Sequence, residues 1–224
     1  MLKFELHKAY KAKKRVVKIS CSGELKEGIT TAFYGQSGVG KSTVLRMICG
    51  LDIPDSGRIV FNDDVWFDGA KNLNIKQRRI GYVFQDFNLF PNMKILKNLK
   101  YASPNGEVKA EIFELLKKTA LDSLLESYPD DLSGGERQRI AVIRALCQSP
   151  EILLLDEPFS ALDDDSIRLL INEISEIQQL RPMTVGVISH RKDVIFEMAE
   201  EMIYMKTDGT SEQGTPKQLI SAGI

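Results

Sequence analysis

Short apolar runs alternating with helix-period segments predict an α/β chain in which helices cover both faces of a parallel sheet. Two observations carry that expectation. Ile152, Leu153, Leu154 and Leu155, and again Val185 to Ile188, are apolar runs of strand length, as strands covered on both faces require. Ile167, Leu170, Ile171, Ile174 and Ile177 instead repeat at i, i+3, i+4 spacing, the mark of a helix with one apolar face.

Taken in order, residues 1–34 read as strands. Phe4, Leu6 and Lys8 alternate with polar neighbours, and Val16, Val17 and Ile19 give a second run. Between them Lys11, Lys13, Lys14 and Arg15 form a basic turn, read as a solvated hairpin tip, with a nucleic-acid patch as the alternative. Glu27-Gly28 turns the chain into a β-prone run at Thr31-Ala32-Phe33-Tyr34. Ser42 to Cys49 can be helical, with Gly50 as its C-cap and Pro54-Asp55-Ser56-Gly57 as a turn. Residues 58–61 and 65–67 read as a hairpin around Asn62-Asp63-Asp64, with Trp66 in its core. Residues 79–84 are a further strand that stops at Gln85.

From 86 to 149 the texture is helical. Val108, Ile112, Leu115, Leu116 and Thr119 share one helix face, and Leu121, Leu124 and Leu125 continue it or start a neighbour. Pro129 and Asp130-Asp131 break the pattern. Ser133 then reads as an N-cap with Glu136 completing a capping box, and that helix runs to about Gln148. Asp164 or Asp165 caps the next helix, a short one follows around 194–199, Met202 to Met205 is a last strand, and Thr215-Pro216 opens a terminal helix.

The composition narrows the classes. Of 224 residues 43 % are hydrophobic, enough for an ordinary core, and 30 basic against 31 acidic residues leave no bulk field for nucleic acid or anionic lipid. No apolar run approaches the roughly 18 residues of a membrane span, and the start has no signal-peptide h-region. Cys21, Cys49 and Cys147 lie far apart in an odd count and read as reduced core residues. A soluble cytosolic protein is expected.

Gly35-Gln36-Ser37-Gly38-Val39-Gly40-Lys41-Ser42, followed by Thr43, fits the Walker A phosphate-loop pattern GxxxxGK[ST] between a strand and a helix. Such a turn aims backbone N–H groups and the positive end of a helix at one point. Lys41 would reach the β- and γ-phosphates of a nucleoside triphosphate, and Ser42 would ligate Mg²⁺. Asp156, at the end of the apolar run, supplies the acid such sites need near Mg²⁺, and Glu157 beside it could address a water in line with the γ-phosphate.

Leu132-Ser133-Gly134-Gly135-Glu136, continuing Arg137-Gln138-Arg139, resembles the LSGGQ signature of ABC ATPases, with Glu136 where many members have Gln. It is a second glycine-rich helix start with a hydroxyl, again an anion receptor. The resemblance covers about residues 2–216 and implies a RecA-like sheet core, a small antiparallel β subdomain and a helical subdomain that carries the signature. It makes residues 1–224 one ATPase domain, with 1–85 plus 150–224 as catalytic core and β subdomain and 86–149 as helical subdomain. It also implies ATP and Mg²⁺ as cofactors and two copies, or close relatives, packed head to tail. Ser133, Gly134, Gly135 and Glu136 of one copy would then contact ATP bound to the other.

Other motifs follow in family order. Gln85 looks like the Q-loop glutamine, which contacts Mg²⁺ and the attacking water and senses the membrane partner. Ser160-Ala161-Leu162-Asp163 looks like the D-loop, which crosses the dimer interface, and His190 like the switch histidine at the γ-phosphate. Tyr10 is the candidate for the aromatic residue on which adenine stacks, slightly further from Lys41 than the family spacing, an offset for which the extra residues in Lys11 to Arg15 offer an explanation. His7 matches no motif. Residues 78–91, with Arg78-Arg79-Ile80-Gly81-Tyr82-Val83-Phe84-Gln85, are similar to importers of molybdate, sulfate, iron and sugars, and Gly28 to Phe33 look most like molybdate importers.

The implied function is an ATPase subunit driving import of a small solute such as molybdate or another oxyanion. Its partners would be separate transmembrane permease subunits, not nucleic acid, and it would sit on the inner face of the cell membrane through them. The sequence ends soon after His190, so the C-terminal regulatory domain of many molybdate importers, and oxyanion feedback through it, are not expected. The alternatives are an exporter subunit, a soluble ABC ATPase acting on ribosomes or DNA, and a phosphate-loop kinase. The soluble ABC classes carry two ATPase halves or a long coiled coil, and the kinase leaves the signature and His190 without a use.

Overall fold

The computed structural model describes residues 1–12, 15–160 and 162–221, so Lys13 and Lys14 of the expected basic turn and Ala161 lie outside the described residues. Two sheets organise the chain. The first is antiparallel, from β1 (Leu2–Ala12), β2 (Arg15–Leu25), β4 (Ser56–Phe61) and β5 (Asp64–Phe67), in the order β2-β1-β4-β5. The second has six strands in the order β10-β9-β3-β8-β7-β6, namely β3 (Thr30–Gly35), β6 (Ile80–Val83), β7 (Ile152–Asp156), β8 (Thr184–Ile188), β9 (Glu201–Met205) and β10 (Ser211–Gly214). All its pairings are parallel except β9 with β10.

Every residue of β7 and β8 is buried, and period-two alternation sends them to opposite faces. Ile152, Leu154, Phe33 and Ile188 pack against Val44, Leu45 and Ile48 of α1 (Lys41–Cys49) and the antiparallel sheet. Leu153, Leu155, Val185 and Val187 pack on the other face. Their partners come from α2 (Ile95–Ala102), α3 (Ala110–Lys118), α4 (Gly134–Leu146) and α5 (Asp164–Leu180). Helices α6 (Lys192–Met198) and α7 (Pro216–Ser221) close the edge near β9. Among the described residues no helix is long and apolar enough to cross a membrane. The three cysteines are buried and free.

The register aligns the strand ends. Phe33 pairs with Ile188, Ile188 with Asp156, and Val83 with Leu155. Segments leaving the carboxyl ends of β3, β6, β7 and β8 therefore emerge side by side, where ligands bind in open α/β sheets.

Several expectations need correction. Ser56 and Gly57 belong to β4, opposite His7 and Leu6, because backbone pairing with β1 outweighs their turn tendency. Asp163, not Asp164 or Asp165, caps α5, since its carboxylate reaches the Ser166 N–H at 2.8 Å. Met202 to Met205 is not the last strand: Ser211–Gly214 pairs with it, too polar for an apolar pattern to mark. Val108 precedes α3, Asp122–Leu124 forms a short 3-10 turn, and α4 stops at Leu146. Nothing in the pattern singled out α2 or the burial of Arg78. The Arg78 Nη1 donates to the carbonyls of Met47 (3.0 Å) and Ile48 (2.7 Å), satisfying the end of α1 where the helix dipole favours a cation.

Gly57 has φ 122, and a Cβ there would sit 2.0 Å from the Glu5 carbonyl oxygen. Gly57→Ala therefore combines backbone strain with a clash that no side chain can relieve. Urea denaturation should show a loss of roughly 2–4 kcal/mol; a loss under ~0.5 kcal/mol would show that β1 and β4 can separate without cost.

Candidate active site

The loop at residues 35–40 leaves β3 and opens α1. Its last residue, Gly40, is the N-cap in left-handed conformation (φ 106), and a Cβ there would strike the Ile19 side chain at 2.4 Å. No side chain caps this helix, so its first N–H groups face outward as an anion receptor. Lys41 is buried, and its Nζ donates to the carbonyls of Gly35 (2.9 Å) and Gln36 (3.0 Å). Burial pushes its pKa down, while Glu157 and Asp156 pull it back up, so both carboxylates bear on this ammonium.

Asp156, at the end of β7, is 7 % exposed and accepts two hydroxyl hydrogen bonds. Ser42 Oγ donates to Oδ1 at 2.8 Å and Tyr82 OH to Oδ2 at 2.9 Å. The next residue, Glu157, has φ 51, a strained conformation for a non-glycine residue at the turn out of the strand. Its Oε1 lies 3.0 Å from His190 Nε2, just past the end of β8. With the carboxylate ionised it can only accept, so Nε2 carries the hydrogen. These two residues, with Ser160, Leu162 and Arg191, line a cavity of about 180 Å³.

The glycine loop lines a separate cavity of about 340 Å³, formed by Gln36, Ser37, Gly38, Val39, Val17, Lys18, Thr207 and Asp208. Tyr10 is 36 % exposed and pairs with Val17, so its ring shares that residue's face of the sheet beside the cavity. Gln85 is exposed in the turn after β6, and Thr43 is half-buried in the first turn of α1.

At α4 the Ser133 hydroxyl accepts from the Glu136 N–H at 3.3 Å, and the Glu136 carboxylate accepts from the Ser133 N–H at 2.8 Å. Ser133, Gly134, Gly135 and Glu136 line a further cavity with Asp163 and Ser166. Arg139 and Glu173 form a buried ion pair that ties α4 to α5, with Nε to Oε1 at 2.8 Å. The chain thus brings Lys41, Ser42, Asp156, Glu157 and His190 to the carboxyl ends of the parallel strands, and the signature to Asp163. It does not bring the signature to the glycine loop, whose cavity shares none of its lining residues. Val17, Lys18, Thr207, Asp208 and Tyr82 escaped the sequence reading because only strand pairing places them at the site.

A parallel sheet with a glycine loop after one strand and acids at the end of another defines the class of phosphate-loop α/β proteins. Residues 20–160 match the family model described as ABC transporter, and the chain belongs to that family. It is 37 % identical over 203 residues to the sulfate/thiosulfate import ATP-binding protein CysA 2 of Agrobacterium fabrum, covering 88 % of this chain and 58 % of that one. With the molybdenum import ATP-binding protein ModC of Brucella melitensis identity is 38 % over 197 residues, covering 86 % and 55 %. The chain thus spans less than three fifths of the length of these relatives. Among solved structures, the dimeric bacterial ABC transporter cassette MJ0796 superposes with a TM-score of 0.81 at 30 % identity, covering 96 % of this chain and 99 % of that one. The same cassette was also solved in a post-hydrolysis state with ADP and Pi.

The Ser133 hydrogen bonds hold the Glu136 carboxyl below the usual carboxylate range. That contribution to stability is complete above the unfolded pKa of about 4.3 and disappears as pH falls through the lower folded value. The side chain is partly open to water, so the effect is small. Glu136→Gln keeps the cap without the charge, and should lose less stability between pH 7 and pH 3 than the parent in urea titrations. Parallel losses would show that the charge contributes nothing.

Proposed function

We propose that the chain is the ATP-hydrolysing subunit of an ABC importer, working as a closed pair of copies on ATP and Mg²⁺. The observation that carries this reading is the pairing of Ser42 with Asp156 and of Glu157 with His190 at the carboxyl ends of the parallel strands, beside the glycine loop. ATP lies with its phosphates against residues 35–43, held by the amides at the start of α1 and by Lys41. Its nucleoside extends toward Val17, Lys18 and Asp208, with Tyr10 as the stacking surface.

Ser42 and Asp156 are hard oxygen donors that fit Mg²⁺, and Gln85 can add its amide oxygen. Among the described residues no group of three or more His, Cys, Asp and Glu forms an all-protein cage. A site of one carboxylate and one hydroxyl completed by substrate phosphates is the pattern Mg²⁺ uses. Bound there, Mg²⁺ neutralises charge developing on the phosphate oxygens. Glu157 orients or deprotonates the attacking water, and His190 steadies that carboxylate and addresses the γ-phosphate. Preorganised positive charge from Lys41 and the loop amides supplies most of the stabilisation.

The glycine loop and the signature face different cavities, so one nucleotide meets both only when two copies pack head to tail. Ser133 to Glu136 and Asp163 of one copy then close the site of the other, an arrangement supported by the dimeric state in which MJ0796 was solved. Residues 86–149 act as the helical part of a single ATPase domain whose catalytic part is 1–85 plus 150–224. A groove lined by Phe84, Asn88, Phe90, Tyr101 and Arg144 lies next to Gln85. Phe90 and the 70 % exposed Tyr101 meet edge to face there, a surface suited to a permease subunit and hence to peripheral attachment at the inner membrane face. Relatives named as importers of sulfate/thiosulfate, molybdenum and Fe(3+) ions support a small inorganic solute as cargo, of which an oxyanion such as molybdate is one.

Glu157→Gln should keep ATP binding, lower turnover at least about a hundredfold and accumulate an ATP-bound dimer in gel filtration. Undiminished phosphate release would remove Glu157 from the mechanism. Ser133→Arg puts a bulky cation where the second copy must approach. It should leave ATP affinity of the monomer unchanged and abolish cooperative hydrolysis, and normal hydrolysis would rule out a site shared between copies.

A further inference from the structure

Tyr82 is not among the site residues the sequence marks, yet it makes one of the two hydroxyl contacts to Asp156. Strand register explains how it gets there. Tyr82 pairs with Leu154, so the two side chains share a face of the sheet. Asp156 lies two residues beyond Leu154 on that same face, roughly 6.6 Å further along the strand. A tyrosine leaning along its strand spans that gap and places its hydroxyl at the carboxylate; phenylalanine fills the same space without the donor.

The rest of the ring is held by packing. It meets Phe84 at 4.6 Å between centroids and lies against the cluster that contains Ile152 and Leu154. The carboxylate oxygen accepts, so the phenol hydroxyl is the donor of this contact. An ionised carboxylate accepts at both oxygens, and here each oxygen has its own hydroxyl, from Ser42 on one side and Tyr82 on the other. Two contacts from opposite sides fix the rotation of the carboxylate, which a single contact leaves free.

We propose that Tyr82 is the positioning residue of the Mg²⁺ site, holding Oδ2 of Asp156 so that Oδ1 stays turned toward Ser42. This rests on the reading above that Asp156 and Ser42 hold the cation. Tyr82 touches neither substrate nor reacting atoms, and it acts through Asp156 alone. Its loss therefore weakens binding of the metal and leaves the metal-free contacts of the nucleotide as they were.

The test uses the full chain and a fluorescent, non-hydrolysable ATP analogue. Affinity is measured in EDTA and then across a Mg²⁺ titration, with Mn²⁺ binding followed in parallel by electron paramagnetic resonance. Tyr82→Phe should bind the analogue in EDTA as the parent does, while the Mg²⁺ concentration at half-saturation and the Mn²⁺ dissociation constant rise about tenfold. Tyr82→Met, which removes the hydroxyl with a different apolar filling, should give the same shift. Unchanged metal dependence in both Tyr82 variants overturns the proposal, and so does an equal loss of affinity with and without metal. Asp156→Asn separates the two readings. If it shifts the metal titration and the Tyr82 variants do not, only the role of Tyr82 fails; if it shifts nothing, the metal assignment fails as well.

Discussion

The site depends on the parallel register of β3, β8, β7 and β6. Asp156 is reached by Ser42 and by Tyr82, which lie 114 and 74 residues away in the chain. Nothing local brings these three groups together. A slip of one residue between β6 and β7 would turn Tyr82 to the opposite face of the sheet from Asp156 and break that contact. What forbids the slip is burial on both faces: in β7 and β8 every side chain is packed, so any shift drives apolar groups into the wrong layer.

The two glycine-rich helix starts solve the problem of their free N–H groups differently. At α1 the N-cap is Gly40, which offers no side-chain acceptor and leaves the amides open to an incoming anion. At α4 Ser133 and Glu136 cap each other, so that helix start is stable without a ligand and presents its glycines on an accessible surface. One receptor is complete only when occupied, and the other is complete in itself. That difference suits a primary phosphate site and a surface that closes over it. In the first, Lys41 is buried at a cost in desolvation and satisfied by the carbonyls of its own loop.

The helical segment is joined to these sites by a few arginines. Arg139 reaches Glu173 and the Thr119 carbonyl, fixing α4 against α5 and therefore the signature against Asp163. Arg144, further along α4, donates to the carbonyls of Asn88 (2.6 Å) and Phe87 (3.3 Å), two residues with positive φ just after Gln85. The loop beyond β6 and the signature helix thus share one support. A displacement at the groove of Phe90 and Tyr101 has a short covalent and hydrogen-bonded route to both.

By itself the sequence determined what depends on neighbours in the chain. The glycine loop, the capping box at Ser133 and Glu136, the apolar strands β7 and β8 and the face of α5 are local patterns, each readable from spacing and residue type. The class of fold followed from their order, and the family from the signature. Tertiary structure alone decided the rest. Polar β10 exists because β9 offers it an edge, and Ser56 and Gly57 are strand because β1 lies opposite. Arg78 is buried because the end of α1 needs donors. Val17, Asp208 and Tyr82 reach the site only through pairing between segments far apart in sequence. Hydrogen bonding across strands carries no sequence period, and so Tyr82 as a partner of Asp156 became visible only once the sheet was assembled.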